Sequence, residues 1–470
     1  MSDRGPLKGL SIMSDNLQNT VGQTSASTSG RTPSDVDASF SSLALHAGYN
    51  PAEHHNSSSV PIYATAAYAL RDEEHATQIA SFELVDDIYT RISNPTTGIL
   101  EKRLAALHGV DGAVATSSGL AALSDTILNI AAGGGRILTS YRLYGGTVAA
   151  FSNILPDYDI DIDIARNPDD PQSWEEAIRL DTKALLVESI SNPLNAVADL
   201  ESLAEIAHRH GIVLIVDNTV ATPYLLNPFD FGADIVVYST TKAINGHGNA
   251  IGGIVLENGT FDYADNERYP QFSRKAWFFK ARDGRERSVL EIAPNTPFTT
   301  RLRAFLVTLL GSSPSPFNSY LTLVGLETLT ARLDRELETA RTVARYLDGD
   351  PRVGRVYHPD ANGYGYQDWA RKYLKKSGST IITFDLDTVE HKRATLDALK
   401  LFSLQANLGD SKSLAVDPFV VTHPELTLDE LAAAGIQAGA IRLSIGLEEP
   451  ADLIADLRQA LDQVYGPVEG

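Results

Sequence analysis

The chain has 470 residues, 43% of them apolar and 21% charged, the balance of a folded globular protein with length for two or three domains at ~150 residues each. With 60 acidic residues against 39 basic, the formal charge is −21, which repels phosphate backbones and argues against a nucleic-acid partner. Cysteine is absent, so disulfides, thiolate metal sites and a cysteine nucleophile are excluded, and no apolar run reaches the ~18 residues of a membrane span.

The first segment, 1–42, is expected to be a flexible tail. From 18 onward it is rich in Ser, Thr, Gly and Asp and lacks sustained apolar periodicity. It carries no charged, then apolar, then small-residue pattern of a secretory signal, so the expected address is the cytoplasm. From about 60 to 257, short β-branched runs alternate with amphipathic segments. Strands are expected at 113–116, 136–139, 184–188, 213–217, 235–238 and 251–256. Helices are expected at 100–108, with Leu100, Leu104 and Leu107 on one face, and at 200–210, with Leu200, Leu203 and Ile206 at similar spacing. Continuously apolar strands separated by such helices imply a mostly parallel sheet covered on both faces.

Residues 258–315 break the pattern and read as an insertion or loop at the edge of that domain. A long helix is expected over 318–347. A smaller α+β domain follows, with strands at 353–357, 380–385, 401–406 and 441–445 and a helix at 391–399. Thr427 and Glu430 have capping-box spacing, and Pro450 suits the first position of a final helix. The expected organisation is thus an α/β domain over 43–315, including the insertion, and an α+β domain over 316–470.

Chemistry-bearing residues gather at expected strand ends. Ser239-Thr240-Thr241-Lys242 follows the strand at 235–238, and Asp217-Asn218-Thr219 ends the strand at 213–217. In an open α/β sheet, ligands bind outside the carboxyl ends of the strands, so Lys242 and Asp217 share one rim. Ser117-Ser118-Gly119-Leu120 opens a helix, whose N-terminal N–H groups can hold a phosphate. Tyr144-Gly145-Gly146-Thr147 lies between strand and helix, where a tyrosine can stack on a ring. Taken singly, these are a solvated lysine, a capping aspartate, an N-cap serine and a turn. Together they supply an amine that condenses with an aldehyde, a carboxylate for a pyridine nitrogen and a phosphate cradle. That set fits pyridoxal 5'-phosphate (PLP).

From about Ser42 to Gly466 the sequence resembles the Cys/Met-metabolism PLP-dependent enzymes. The resemblance is carried by Tyr89-Thr90-Arg91-Ile92-Ser93-Asn94-Pro95-Thr96, by the strand-end motifs above, by Glu188-Ser189-Ile190-Ser191-Asn192-Pro193 and by Ile441-Arg442-Leu443-Ser444-Ile445-Gly446. It implies a fold type I, aminotransferase-like architecture. It also implies that Lys242 bonds the cofactor and moves protons, Asp217 partners the pyridine nitrogen, and Tyr144 stacks on the ring and serves as an acid or base in proton transfer. Asn192 would lie near the ring hydroxyl. Ser118, Gly119, Leu120, Ser239 and Thr241 would form the phosphate cup. Tyr89 and Arg91 would reach the phosphate of a neighbouring subunit, in a homotetramer built from active dimers. Arg442 would grip the substrate α-carboxylate, with Ser413 lining the same pocket; without that context Arg442 reads as an ion pair. No metal is implied.

Within the family, Leu408-Gly409-Asp410-Ser411-Lys412-Ser413-Leu414, the length of 258–315 and the 428–435 helix resemble the O-acetylhomoserine sulfhydrylase branch. Gly146 counts against methionine γ-lyase, which has a cysteine there. The implied reaction is γ-replacement on O-acetyl-L-homoserine by sulfide or a thiol, in methionine and cysteine biosynthesis. A cystathionine γ-synthase or γ-lyase is the alternative on the same scaffold, and a non-catalytic PLP-binding regulator a remoter one. Two departures stand out. Asp417-Pro418-Phe419-Val420-Val421-Thr422-His423 replaces the family's His-Pro-x-x-Thr-Thr-His, losing a hydroxyl at Val421 and adding a charge at Asp417. The insertion also lacks the Pro-x-Tyr-His-Gly run of the long sulfhydrylases.

Overall fold

A computed structural model describes residues 38–468, except 265 and 425. Most of the expected tail lies outside the described residues. The larger sheet has seven strands: β1 (Gly112–Thr116), β2 (Gly135–Thr139), β3 (Ile160–Ile164), β4 (Thr182–Glu188), β5 (Val213–Asp217), β6 (Ile235–Tyr238) and β7 (Gly253–Glu257), in the order β1-β7-β6-β5-β4-β2-β3. Only β7 runs antiparallel to its neighbours.

At its central strands both faces of this sheet are dry, as the apolar runs require. Leu185 and Val187 of β4, with Leu214 and Val216 of β5, enter one core. Ala184, Leu186, Val213 and Ile215 alternate with them into the other. This period of two, apolar at every position, marks a central parallel strand. The edge strand β3 was not expected. Its Ile-Asp-Ile-Asp-Ile run alternates because one face is wet: Arg136 of β2 pairs there with Asp161 and Asp163 at 2.8 and 3.3 Å.

Segment 258–315 is a core layer rather than an edge loop. It forms a hairpin, β8 (Ala276–Lys280) and β9 (Glu286–Arg287), then the helix Pro297–Arg301 and a π-helical turn, Leu302–Val307. Tyr263, Tyr269, Phe272, Phe298 and Leu302 are buried against the second face of the sheet. The expected helix over 318–347 is two helices, Pro316–Glu327 and Leu329–Gly349, interrupted at Thr328.

The smaller sheet holds β10 (Val356–Tyr357), β11 (Ile381–Asp385), β12 (Ser403–Leu404), β13 (Leu414–Val416) and β14 (Ala440–Ser444), in the order β10-β11-β14-β13-β12. Here the two faces differ. Ile382, Phe384, Ile441 and Leu443 pack on Val343 and Leu347 of one helix and Leu453 and Leu457 of the last, Pro450–Tyr465. The alternate residues Thr383 and Arg442, paired across β11 and β14, turn toward the larger sheet. Thr383 donates to the Pro193 carbonyl at 2.6 Å and Arg442 to Asn192 at 3.0 Å. The expected capping box at Thr427–Glu430 forms, with both hydrogen bonds present. Among the described residues no helix is long and apolar enough to cross a membrane.

Glu257 ties segment 258–315 to the sheet. Its carboxyl group accepts from the N–H groups of Phe298 and Thr299 at 3.2 and 2.7 Å. Burial pushes it from 4.5 up to about 7. The folded state therefore holds this proton more tightly than the unfolded chain. Its contribution to stability is full below about 4.5 and is lost as pH rises through about 7, a span worth roughly 3 kcal/mol. Glu257→Gln is expected to remove that slope whatever its constant offset. Thermal denaturation across this pH range checks it, and an unchanged slope in the variant assigns the dependence elsewhere.

Candidate active site

The carboxyl ends of β1, β2, β4, β5 and β6 lie on one rim, as parallel strands must, and Arg442 of β14 faces them. Together they enclose a cavity of about 460 Å³.

After β1, Ser118 caps the helix Gly119–Ile130, its hydroxyl accepting from the Ala121 N–H at 3.0 Å. The N–H groups of Gly119 and Leu120, in the first turn, have no intrahelical partner and sit at the positive end of the helix dipole. The β6 loop presses against this turn. A Cβ on Gly119 would stand 2.4 Å from the Cβ of Ser239, so only glycine permits the approach. The Thr241 hydroxyl holds the same loop, donating to the Gly252 carbonyl at 3.2 Å and accepting its N–H at 3.0 Å. Thr219, which borders the cavity, accepts from the Ser239 N–H at 2.9 Å. After β2, Tyr144 precedes the helix Gly145–Asn153 with its ring half exposed in the cavity.

β4 and β5 end in acid. Their register sets Glu188 beside Asp217, and both border the cavity. Burial pushes both carboxyl groups up, and the charge of Asp217 pushes Glu188 further. Glu188 accepts from the N–H groups of Tyr144 and Asn192. Asp217 accepts from the Thr219 N–H at 2.9 Å. Among the described residues neither carboxyl group has an ion-pair partner.

Two cations complete the lining. Burial, then the charge of Arg442, lowers Lys242 from 10.5 to about 8, and its Nζ donates to Asn407 Oδ1 at 2.8 Å. Arg442 is buried, which lowers it to about 10. Its Nη1 donates to Asn192 and its Nη2 to the Asn407 carbonyl at 2.6 Å, while its buried Nε is unpartnered.

The structure thus brings Ser118, Gly119, Leu120, Tyr144, Asn192, Asp217, Ser239, Thr241, Lys242 and Arg442 to one cavity. Three expected residues lie elsewhere. Ser413 is fully buried outside the lining. Its hydroxyl donates to Glu448 at 2.7 Å and accepts from the Gly446 N–H at 2.9 Å, so it is not free for a substrate carboxylate. Tyr89 and Arg91 stack on each other outside the lining, 5.4 Å from guanidinium carbon to ring centre, and Arg91 donates to the Thr308 carbonyl. Sequence reasoning named Glu188 and Thr219 only as parts of motifs, without a role, and did not name Asn407. The first two lie at strand ends, as Asp217 does, and that position was the available signal. Asn407 carries none, because only folding of the loop between β12 and β13 brings it to Lys242.

Known proteins match this chain along nearly its full length. The family model described as Cys/Met metabolism PLP-dependent enzyme matches residues 41–462. The chain belongs to this family. Sulfhydrylase FUB7 of Fusarium oxysporum f. sp. lycopersici is 38% identical over 434 residues, 92% of this chain and 99% of that protein. O-acetyl-L-homoserine sulfhydrylase of Corynebacterium glutamicum is 37% identical over 421 residues, 89% of this chain and 95% of that one. A Campylobacter jejuni structure carrying N'-pyridoxyl-lysine-5'-monophosphate superimposes with a TM-score of 0.85 at 37% identity, covering 90% of this chain and 100% of that chain.

The donor set fits the family's cofactor. A buried amine near pH 8 is available for an aldehyde. A carboxyl pair without a cation suits a protonated ring nitrogen, and a helix N-terminus suits a phosphate. Gly119→Ala is expected to force the two loops apart and weaken PLP retention. PLP content after exhaustive dialysis, alongside circular dichroism, checks this. Full retention in the variant shows that the close approach does not shape the cradle.

Proposed function

We propose that the chain catalyses γ-replacement on O-acetyl-L-homoserine, with sulfide or a thiol displacing acetate to give homocysteine or a thioether homologue. The observation that carries this reading is the convergence of Lys242, Asp217 and Arg442 on one cavity. The relatives' names and the sulfhydrylase-like 408–414 segment support the donor.

PLP, when bound, supplies an electron sink for a carbanion at an amino-acid α-carbon. The chain's residues do the rest. Lys242 would hold the cofactor and serve as base, since its lowered value of about 8 keeps a useful fraction of free amine near neutrality. Asp217, with Glu188 beside it, would favour a protonated pyridine nitrogen. Tyr144 would stack on its ring. Gly119 and Leu120 amides, with the Ser118, Ser239 and Thr241 side of the cavity, bind phosphate. Arg442 clamps the substrate carboxylate, since a guanidinium pairs with it through two parallel bonds. Asn192 orients that guanidinium. Tyr89 and Arg91 are assigned to the phosphate of a second copy, in an active dimer within a cytoplasmic tetramer.

Acetate and product measured with O-acetylhomoserine, O-succinylhomoserine and cystathionine, each with and without sulfide, test the reaction. Sulfide-dependent homocysteine from O-acetylhomoserine is expected. Keto-acid release without sulfide would instead make the chain a lyase. Arg442→Lys keeps charge but loses the fork, so kcat/KM should fall by ~100-fold or more with PLP content unchanged. A stable variant with wild-type efficiency removes the clamp role.

A further inference from the structure

Arg332 lies on the helix Leu329–Gly349, outside the cavity lining and behind the turn that follows Lys242. It is 5% exposed. Its Nη2 is shared among three main-chain carbonyl groups, those of Gly325 at 2.8 Å, Ala243 at 2.9 Å and Ile244 at 3.4 Å, and its Nε donates to the Thr328 hydroxyl at 3.2 Å. Ala243 and Ile244 directly follow the lysine, and Gly325 belongs to the helix Pro316–Glu327. One guanidinium thus ties the Lys242 turn to two helices. Gly246 closes that turn at φ +71°, and a Cβ there would run into the same guanidinium. The Ser411 N–H donates to the Gly246 carbonyl at 2.9 Å, so the loop that brings Asn407 to the Lys242 amine rests on the turn as well.

This arginine is held by carbonyl groups and not by an acid. Among the described residues no carboxylate lies within ion-pair distance of it, and its Nη1 is buried without a partner. Glu336, one turn on, is fully buried with both oxygen atoms unpartnered. Burial raises it to about 8 against the pull of Arg332, with Asp410 and Glu448 adding to the rise. Near neutrality it is therefore mostly protonated and leaves the guanidinium on the carbonyl groups. Apolar side chains of similar volume commonly fill such places at no greater cost. What the arginine adds is a fixed grip on the main chain next to the reactive lysine.

We propose that Arg332 is a positioning residue for Lys242: by holding the Ala243 and Ile244 carbonyl groups it sets the reach and direction of the lysine amine into the cavity. The inference rests on the reading of Lys242 as the residue that bonds PLP, and it holds whichever donor and acceptor the chain uses. A base displaced by ~1 Å from the proton it removes loses up to roughly 100-fold in rate. Substrate affinity, assigned to Arg442 on the smaller sheet, is left in place.

Two variants test it. Arg332→Lys keeps the charge on a shorter side chain, which falls short of the place of Nη2. Arg332→Met combined with Glu336→Leu removes grip and acid together, leaves no unpaired charge and so keeps a fold to measure. The first readout needs no substrate. PLP is added to the cofactor-free full chain, capture is followed by visible absorbance, and borohydride reduction with peptide mapping reports the lysine that holds it. The second readout is turnover of O-acetylhomoserine and of its α-deuterated form. Both variants are expected to capture PLP on Lys242 ~10-fold more slowly and to lose roughly 10- to 100-fold in kcat, with KM within about twofold and a larger deuterium effect on kcat. A folded double variant with wild-type capture and kcat, changed only in melting temperature, makes Arg332 purely structural and overturns the inference. Mapping of wild-type PLP to another lysine overturns the Lys242 reading and the inference with it. Absence of turnover in the wild type overturns γ-replacement alone, and the capture rates then decide the role of Arg332.

Discussion

The site depends on two carboxyl groups held abreast at the end of a parallel sheet. Neighbouring parallel strands end in step, so the acids closing β4 and β5 must meet, and Glu188 stands opposite Asp217. Buried without a cation, such a pair raises both carboxyl groups and costs stability. The surrounding N–H groups offset part of that cost. Tyr144 and Asn192 donate to Glu188, and Thr219 donates to Asp217. The donors are themselves cavity residues, so the interaction that relieves the carboxyl groups also fixes the backbone of Tyr144 and of Asn192, whose side chain accepts from Arg442. A cation placed here would neutralise one of the two charges.

The smaller sheet contributes through the alternation of β14. Its apolar residues face the two long helices, which leaves Arg442 on the other side, toward the rim of the larger sheet. Asn407 then touches both cations: its carbonyl accepts from Arg442 and its side-chain oxygen from Lys242. The loop carrying Asn407 is held by buried polar contacts. The Gly409 N–H donates to Ser444 at 2.9 Å, and Ser413 joins Glu448 to the Gly446 N–H. Ser413 thus holds the loop and does not line the cavity.

What was legible in the sequence follows from how local each signal is. β4, β5 and β6 are apolar on both faces, and the Glu and Asp that end the first two, with the Ser just past the third, mark the rim without further information. Asp217 and Lys242 are readable for that reason. β3 alternates with aspartate because it is an edge strand, and that pattern was passed over. Segment 258–315 has no single period. Its aromatic residues bury against a face whose other residues are distant in the chain, so only tertiary packing makes it a core layer. β13 is three residues long, and its partner β14 follows after a long interval. Asn407 and the true partner of Ser413 depend on that pairing, which is why the first was missed and the second misplaced.

Burial acts in the same sense on the two cations of the cavity, yet leaves them in different states, and the site needs both. Each loses water and each is lowered. Lys242 moves to about 8, close enough to neutrality that its amine exists in both forms. Arg442 moves only to about 10 and stays charged. Desolvation therefore yields a base from one residue and a fixed charge from the other, because the intrinsic basicity of guanidinium is higher. Their mutual repulsion adds to the lowering of Lys242. Exchanging the two side-chain types would lose both properties: a lysine beside Asn192 would lack the fork that pairs a carboxylate through two bonds, and an arginine after β6 would have no free amine to offer.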